Sequence, residues 1–121
     1  MPDNGKRAEA HAGKWLKKRK LKIVELNFHS RFGEIDIIAL DGNTICFIEV
    51  RYRKSLSYGT PADTVTAKKQ LRIIKTAQAY LQRNTTHGQR PARFDIVSLS
   101  GNLDKPDIDW YKDAFMINTD S

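Results

Sequence analysis

Residues 34–51 read EIDIIALDGNTICFIEVR, and this stretch decides the fold of the chain. Two apolar runs, residues 34–40 and 44–51, are rich in isoleucine and valine and are typical of β-strands. Between them stands Asp41-Gly42-Asn43, a sequence that favours a tight hairpin turn. The stretch therefore predicts a β-hairpin whose two strands are apolar enough to be buried on both faces.

Two carboxylates interrupt these apolar runs, Asp36 in the first strand and Glu49 in the second. With a two-residue loop at Gly42-Asn43, counting back from Asp41 places Asp36 directly opposite Glu49 on one face of the hairpin. A loop centred on Asp41-Gly42 shifts the pairs by two and keeps both acids on one face, whereas a three-residue loop separates them. Buried like charges are costly unless they are paired, hydrogen-bonded or bound to a metal.

Two sources of compensating positive charge are open from the sequence. A hard divalent cation such as Mg²⁺ takes carboxylate oxygens as ligands and keeps several waters. Alternatively, Arg51, Arg53 or the basic first helix neutralises the two acids without a metal. A third acid, Glu9, lies beside the apolar stripe of that helix, so we expect it at the edge of the core.

The elements before and after the hairpin follow from hydrophobic periodicity. A helix is predicted over residues 5–20, where Ala8, Ala12, Trp15 and Leu16 form one apolar stripe, and a strand is predicted over residues 21–28. After the hairpin, residues 60–63 (TPAD) have the composition of a helix start, because Thr caps helices and Pro suits their first position.

The second half of the chain begins with a long helix, predicted from Thr66 to about residue 83. One face of this helix is expected to contain Leu71, Ile74, Gln78 and Leu81. Residues 84–91 predict a loop and residues 94–99 a strand, and the last stretch, around Trp110, is either an edge strand or a packed tail. The whole order predicts an α/β fold, in which helices flank a mixed central sheet.

Length and composition exclude several classes of protein. A chain of 121 residues fits one domain, and its single cysteine, Cys46, excludes a disulfide framework. The first ten residues contain no apolar stretch of a signal peptide, and no run approaches the ~18 apolar residues of a membrane span. We therefore expect a soluble, cytoplasmic protein with no membrane partner. Because GxxxxGK[ST] and GxGxxG are absent from the sequence, no nucleotide cofactor is indicated.

The charge of the chain favours a polyanionic partner. Lys and Arg number 21 against 14 Asp and Glu, which leaves a net charge of +7, and the isoelectric point is about 9.7. Such a basic domain is typical of nucleic-acid binders, although net charge also serves solubility alone. The basic residues form three clusters: Lys14, Lys17, Lys18, Arg19, Lys20 and Lys22; Arg51, Arg53 and Lys54; and Lys68, Lys69, Arg72 and Lys75.

The position of Asp36, followed on the next strand by Glu49-Val50-Arg51, resembles the PD-(D/E)xK signature of restriction-endonuclease-like nucleases. Within that superfamily the chain resembles the small bacterial YraN-like family, over about residues 5–100, with residues 101–121 as a C-terminal extension of a single domain 1–121. The matching positions are Gly5, Ala8 and Glu9, residues 31–39 (RFGEIDIIA) and 47–53 (FIEVRYR), Gly59, Pro61, Val65, Thr66, Lys68 and Gln70, and residues 93–95 (RFD).

The resemblance implies a restriction-endonuclease-like αβββαβ core and Mg²⁺- or Mn²⁺-dependent hydrolysis of DNA phosphodiester bonds. It assigns Asp36 and Glu49 as metal ligands, and Glu9, Arg51 and Gln70 as further catalytic residues. Archaeal Holliday junction resolvases resemble the chain more distantly, which suggests branched DNA as the substrate and a homodimer as the assembly. The residues expected to contact DNA are Arg31, Arg53, Lys54, Lys68, Lys69 and Arg72.

One position departs from the pattern. The family normally places Lys where this chain has Arg51, and an arginine stays protonated while still neutralising a phosphate oxygen. Catalysis then uses Arg51 as charge support, or takes an amine from Lys68 or Lys54. A non-catalytic DNA-binding protein on the same fold is one alternative, and a protein-interaction module is another. Tyr52 and Tyr58 are candidates for stacking on unpaired bases or, alternatively, for packing at an interface.

Overall fold

The predicted hairpin organises the fold in the computed structural model, which describes residues 4–53 and 65–116. Strands β2 (Gly33–Asp41) and β3 (Thr44–Arg53) pair antiparallel. Asp41 lies opposite Thr44, and the register continues to Ile37 opposite Ile48. Gly42 takes a φ of +60°, a conformation that glycine adopts readily in the first position of a two-residue turn. The two-residue loop is therefore confirmed, and with it the register that depends on it.

The hairpin lies in a five-stranded sheet with the order β1-β2-β3-β4-β5. Strand β1 (Lys22–Ser30) pairs antiparallel with β2, β4 (Ala92–Ser100) pairs parallel with β3, and β5 (Asp107–Phe115) pairs antiparallel with β4. The parallel pair requires a crossover, because a hairpin loop joins antiparallel strands only. The mixed sheet is thus as expected, and the last stretch of the chain is an edge strand.

Helices cover the two faces of this sheet. Helix α1 (Asn4–Lys18) precedes β1, and α2 (Ala67–Arg83) lies between β3 and β4. The described elements thus contain the order αβββαβ with β5 added after it, which confirms the predicted α/β fold. A short 3-10 turn, Thr85–His87, follows α2 in the predicted loop. Among the described helices, none has the length and apolar character needed to cross a membrane.

The core has two halves, one under each helix. Helix α1 buries Ala8, Ala12 and Leu16 against a cluster that includes Ile37 and the fully buried Cys46. Helix α2 packs on the opposite face of the sheet. Tyr80 of α2 makes edge-to-face contacts with Phe28 and Phe47, at ring-centroid distances of 5.1 and 6.0 Å.

The row of α2 that contains Leu71, Ile74, Gln78 and Leu81 is not the row that the helix buries most deeply. The helix buries Ile73, Thr76, Ala77 and Tyr80, whereas Leu71 is 52% exposed and Gln78 is also exposed. Both rows have the spacing of one helical face, so periodicity alone does not choose between them. The ring of Tyr80 contacts Phe28 of β1 and Phe47 of β3, so the observed rotation of the helix turns this side chain toward the sheet. Ile74 and Leu81 remain partly buried at the edge of this contact.

Several predictions concern residues outside the described ranges. The helix start over residues 60–63, and the roles given to Lys54 and Tyr58, all lie in the stretch 54–64 that the structure does not describe.

We expect Tyr80→Ala to lower the free energy of unfolding by about 3–5 kcal/mol, because truncating a fully buried aromatic ring leaves a cavity. Leu71→Ala is the matched control on the same helix, and we expect a change within about 0.5 kcal/mol. Urea unfolding followed by circular dichroism measures both. Equal destabilisation by the two substitutions would contradict the orientation of α2.

Candidate functional site

The carboxylate of Asp36 stands between β2 and β3, immediately beyond the pair Ile37 and Ile48. The backbone N–H of Val50 donates a hydrogen bond to Asp36 Oδ2 at 2.8 Å. A side chain of β2 thus satisfies a backbone donor of β3, a donor that would be costly to bury without an acceptor. Only 7% of Asp36 is exposed. This hydrogen bond fixes the position of the carboxylate between the two strands.

Glu49 is the second acid of the site, and it is equally buried, with 7% exposed. Lys69 Nζ lies 3.0 Å from Glu49 Oε1. The lysine comes from the first turn of α2, where its backbone N–H donates to the Oγ1 of the N-cap Thr66 at 3.1 Å. The cap that starts the helix therefore also places a cation on Glu49.

Glu9 reaches the site from the other face of the sheet. It is half-buried on α1, one position after Ala8, which packs on the sheet. Its side chain hydrogen-bonds to Asp36 and raises the pKa of that carboxyl. The three acids Glu9, Asp36 and Glu49 are thus brought together from α1, β2 and β3, while α2 supplies the facing lysine.

Burial and neighbouring negative charges raise the pKa of both buried acids at this site. Burial raises the pKa of Asp36 to about 6, against the opposing effect of the Val50 N–H, and the charges of Glu9 and Glu34 act in the same direction as burial. Burial and then the charge of Asp36 raise the pKa of Glu49 to about 7, although Lys69 and, to a smaller extent, Arg51 oppose this. One lysine and one arginine therefore leave an acid pair with unusually high proton affinity.

Asp95 is a buried acid of the same sheet, and donors surround both oxygens of its carboxylate. This residue of β4 is 0% exposed. Its two oxygens accept hydrogen bonds from Arg93 Nε at 2.9 Å, from Trp110 Nε1 at 2.9 Å and from the backbone N–H of Asp113 at 2.9 Å. Asp95 therefore has a structural role, whereas fewer donors are identified for Asp36 and Glu49 among the described residues, the Val50 N–H and Lys69 respectively.

The donor set suits a small hard cation held by few protein ligands. Asp36 and Glu49 offer carboxylate oxygens, and Mg²⁺ is commonly held by one or two carboxylates with the remaining positions filled by water. Over residues 4–53 and 65–116, no group of three or more His, Cys, Asp or Glu is arranged to hold a metal ion, so any ligand set would consist of two acids. Glu9 contacts Asp36 and is therefore better placed to orient that carboxylate than to act as a third ligand.

The other predicted catalytic residue of α2 has a different contact. Gln70 Nε2 donates to the backbone oxygen of Val65 at 2.9 Å, so its amide holds the segment that enters α2. Of the two adjacent lysines, Lys68 is exposed, and it is Lys69 that meets Glu49. The expectation that an α2 amine lies near the site therefore applies to Lys69 and not to Lys68.

Three of the remaining predicted DNA contacts, Arg31, Arg53 and Arg72, belong to the described residues. Arg72 is exposed on α2 and Arg31 is exposed in the turn between β1 and β2. Arg53 ends β3, and its carbonyl accepts the N–H of Gly101 at 3.2 Å. Tyr52 donates its hydroxyl to the Gly101 carbonyl at 2.7 Å and packs on the core, which favours the packing role over base stacking.

The contact between Lys69 and Glu49 was missed in the sequence, although a signal for it exists. Lys69 lies four residues before Ile73 and eleven before Tyr80, so it continues the buried row of α2 toward the helix N-terminus. A helix rotated to bury the row of Leu71 and Ile74 would turn Lys69 away from the sheet. The correct rotation of α2 would have placed Lys69 at the acids.

The αβββαβ order and the mixed sheet with a helix on each face define an α/β fold, and this fold carries a buried Asp–Glu pair on adjacent strands. The family model described as "Uncharacterised protein family UPF0102" matches residues 8–99, and the chain belongs to this family.

Relatives of similar length support this assignment. A UPF0102 protein of Colwellia psychrerythraea is 41% identical over 114 residues, covering 93% of this chain and 88% of the relative. One from Nitrosococcus oceani is 40% identical over 117 residues, covering 97% and 94%. One from Alcanivorax borkumensis is 44% identical over 114 residues, covering 93% and 91%.

The raised pKa values predict how the acid pair affects stability. The folded protein binds protons at Asp36 and Glu49 more tightly than the unfolded chain, so these groups lower the free energy of unfolding as pH rises from about 4 to about 7. We expect Glu49→Gln to be more stable than the wild type by about 1–3 kcal/mol at pH 8 in a metal chelator. At pH 4 the difference should be small, because Glu49 is then protonated.

Thermal melting at both pH values, with Glu25→Gln as the control, measures this effect. Glu25 is an exposed acid of β1, so its neutralisation should change stability little at either pH. A Glu49→Gln variant that is less stable than the wild type at pH 8 would show that Lys69 and Arg51 already compensate the pair.

Proposed function

We propose that this protein is a metal-dependent nuclease that hydrolyses phosphodiester bonds in DNA. The observation that carries the proposal is the buried pair Asp36 and Glu49, in which the pKa of Glu49 is raised although Lys69 and Arg51 oppose the rise. A net charge of +7 favours a polyanionic substrate. The resemblance of Asp36 and Glu49-Val50-Arg51 to the nuclease signature points to the same chemistry.

Each residue of the site has a distinct task in this proposal. Asp36 and Glu49 would hold Mg²⁺ or Mn²⁺, which supplies positive charge to the phosphate when bound. The Val50 N–H and Glu9 fix the orientation of the Asp36 carboxylate. Such preorganisation is effective because the site need not rearrange as charge develops on the phosphate oxygens.

Lys69 supplies the amine that the signature normally places two residues after the glutamate. That position is Arg51 in this chain, and the ammonium at Glu49 comes from α2 instead. The compact ammonium of Lys69 lies 3.0 Å from Glu49 Oε1. It is therefore within reach of a phosphate oxygen that binds beside Glu49. Arg51 adds a second positive charge, which Glu49 senses more weakly than that of Lys69.

A non-catalytic DNA-binding protein is the second candidate function. The ion pair between Lys69 and Glu49 favours it, because a protein cation already contacts one of the two acids. In that case the acids position Lys69 and Arg51 toward a phosphate backbone, and no metal is needed. The two candidates differ in metal binding and in cleavage.

We expect the wild type to bind one Mn²⁺ in a calorimetric titration, and Asp36→Asn and Glu49→Gln each to abolish the binding, because each removes one of two charged ligands. Asp109→Asn is the control, since this exposed acid of β5 should leave the titration unchanged. Wild-type titration curves from either site variant would contradict a shared metal site.

Two adjacent lysines separate the proposed role of Lys69 from a general effect of charge. We expect Lys69→Ala to lower metal-dependent cleavage of a branched DNA substrate by about 100-fold or more, which is the effect of losing one preorganised donor. Lys68→Ala removes the same charge from the same turn and should change cleavage only slightly. Arg51→Ala should also lower cleavage, whereas Arg51→Lys, which restores the common signature, should retain it.

Equal effects of Lys68→Ala and Lys69→Ala would reduce both lysines to general phosphate contacts. Absence of cleavage by the wild type and by Arg51→Lys, with Mn²⁺ bound and DNA affinity intact, would favour the non-catalytic candidate.

A further inference from the structure

An aromatic side chain stands at the surface in the turn between β1 and β2. Phe32 is partly exposed, and neither of the two core clusters of the described residues includes it. The guanidinium carbon of Arg31 lies 4.8 Å from the centroid of its ring, and Lys75 Nζ lies 5.8 Å from it. Arg31 is exposed and Lys75 lies on the outer side of α2. The ring is therefore surrounded by positive charge at the surface.

The turn that carries Phe32 is fixed to α2 by a chain of hydrogen bonds. The backbone N–H of Phe32 donates to Ser30 Oγ at 3.0 Å, and the Ser30 hydroxyl donates to Thr76 Oγ1 at 3.3 Å. Thr76 in turn donates to the Arg72 carbonyl at 2.8 Å. Gly33 completes the turn with a φ of +148°, where other residues are strained. The ring is thus held in place before any ligand binds.

Two clefts beside this turn share Phe32 in their lining. Their volumes are about 370 and 390 Å³. No acidic residue of the described chain lines either cleft. The linings contain three cationic side chains and two side-chain amides, which are Arg31, Lys75, Arg83, Gln78 and Gln82.

This combination of side chains fits an unpaired nucleotide. A base stacks on an aromatic ring, and every base offers a π-face for this contact. Cations at the rim bind the phosphates, and side-chain amides both donate to and accept from the polar edges of a base. A base inside a duplex is stacked between its neighbours and cannot reach Phe32. The clefts therefore favour a strand with unpaired bases over duplex DNA.

The clefts and the carboxylate site lie along one helix. Lys69 meets Glu49 at the start of α2, and Ala79 lines both clefts ten residues later. At 1.5 Å per residue the separation along the axis is about 15 Å, the length of roughly four stacked nucleotides. Arg72 and Lys75 lie between them in the helix. A single strand that occupies a cleft can therefore follow α2 to the acids.

We propose that the Phe32 clefts bind an unpaired nucleotide of the DNA strand that enters the carboxylate site, which makes DNA with a single-stranded region the substrate. The part of this inference that leads the DNA strand from the clefts to the carboxylate site rests on the proposed function. The stacking site itself rests on Phe32, its cationic rim and the absence of acids from the described lining.

Fluorescence anisotropy in a metal chelator tests the clefts apart from cleavage, with a labelled single strand of about 15 nucleotides and the duplex of the same sequence as probes. We expect the wild type to bind the single strand more tightly than the duplex. Phe32→Leu should weaken single-strand binding by about 5- to 100-fold, which is the effect of losing one base–aromatic stack, and should change duplex binding little. Phe32→Trp should retain the preference, because indole also stacks.

Two controls distinguish the stack from other effects. Leu71→Ala truncates an exposed apolar residue of α2 outside the clefts and should leave both affinities unchanged. The double variant Arg31→Ala with Lys75→Ala should reduce the slope of log K against log salt by about 0.7 for each phosphate that the protein no longer neutralises. Lys105→Ala, which changes an exposed lysine before β5, should leave this slope unchanged. The slope comparison decides the question if melting shows that Phe32→Leu is poorly folded.

A single-strand affinity that is unchanged in Phe32→Leu, or that falls equally for both probes, would overturn the inference. Loss of cleavage in Asp36→Asn alongside such a result would leave the nuclease proposal standing without the clefts. Conversely, single-strand binding that depends on Phe32, in a wild type that cleaves no DNA, would contradict the nuclease proposal and support the clefts.

Discussion

The hydrogen bond from the Val50 N–H to the Asp36 carboxylate is the constraint on which the site depends. It lies where the pairing of β2 with β3 has just passed Ile37 and Ile48, so a side chain takes the place of a backbone acceptor. The carboxylate is thereby kept in the sheet, next to Glu49, at a position where burial raises the proton affinity of both acids. The Val50 N–H needs an acceptor because it is buried, and this hydrogen bond keeps the Asp36 carboxylate in a buried position where a negative charge is costly.

The two helices act on this acid pair from opposite faces of the sheet. Helix α1 brings Glu9 to Asp36, and the negative charge of Glu9 raises the pKa of Asp36 further. Helix α2 brings Lys69 to Glu49, and the positive charge of Lys69 opposes the rise in the pKa of Glu49. The contrast with Asp95 is informative because the same sheet fully satisfies that acid with Arg93, Trp110 and the Asp113 N–H. The same sheet thus gives both oxygens of one buried carboxylate several donors, whereas among the described residues Asp36 and Glu49 have fewer identified donors and raised pKa values.

Aromatic residues near the basic surface have different roles that only their contacts reveal. Tyr52 has its hydroxyl bonded to the Gly101 carbonyl and packs on the core. Phe32 lies outside both core clusters, between Arg31 and Lys75. In the sequence, Tyr52 stands beside three basic residues and is therefore a candidate for base stacking, whereas Phe32 is an apolar residue within the motif of residues 31–39. Packing, and not proximity to basic residues in the chain, separates the structural aromatic from the exposed one.

The sequence alone predicted the hairpin and the order of the elements, and the observed two-residue loop was one of the three turns that it left open. Turn length and the two-residue period of a strand are local properties, so the Gly42-Asn43 loop was enough to place Asp36 and Glu49 at neighbouring positions. The rotation of α2 was decided only by tertiary packing, because the row of Leu71 and Ile74 and the row of Ile73 and Tyr80 have the same period. That rotation determines which lysine meets Glu49 and which side chains face Phe32. Contacts between elements distant in sequence depend on how side-chain volumes fill the core, and helical periodicity carries no information about that filling.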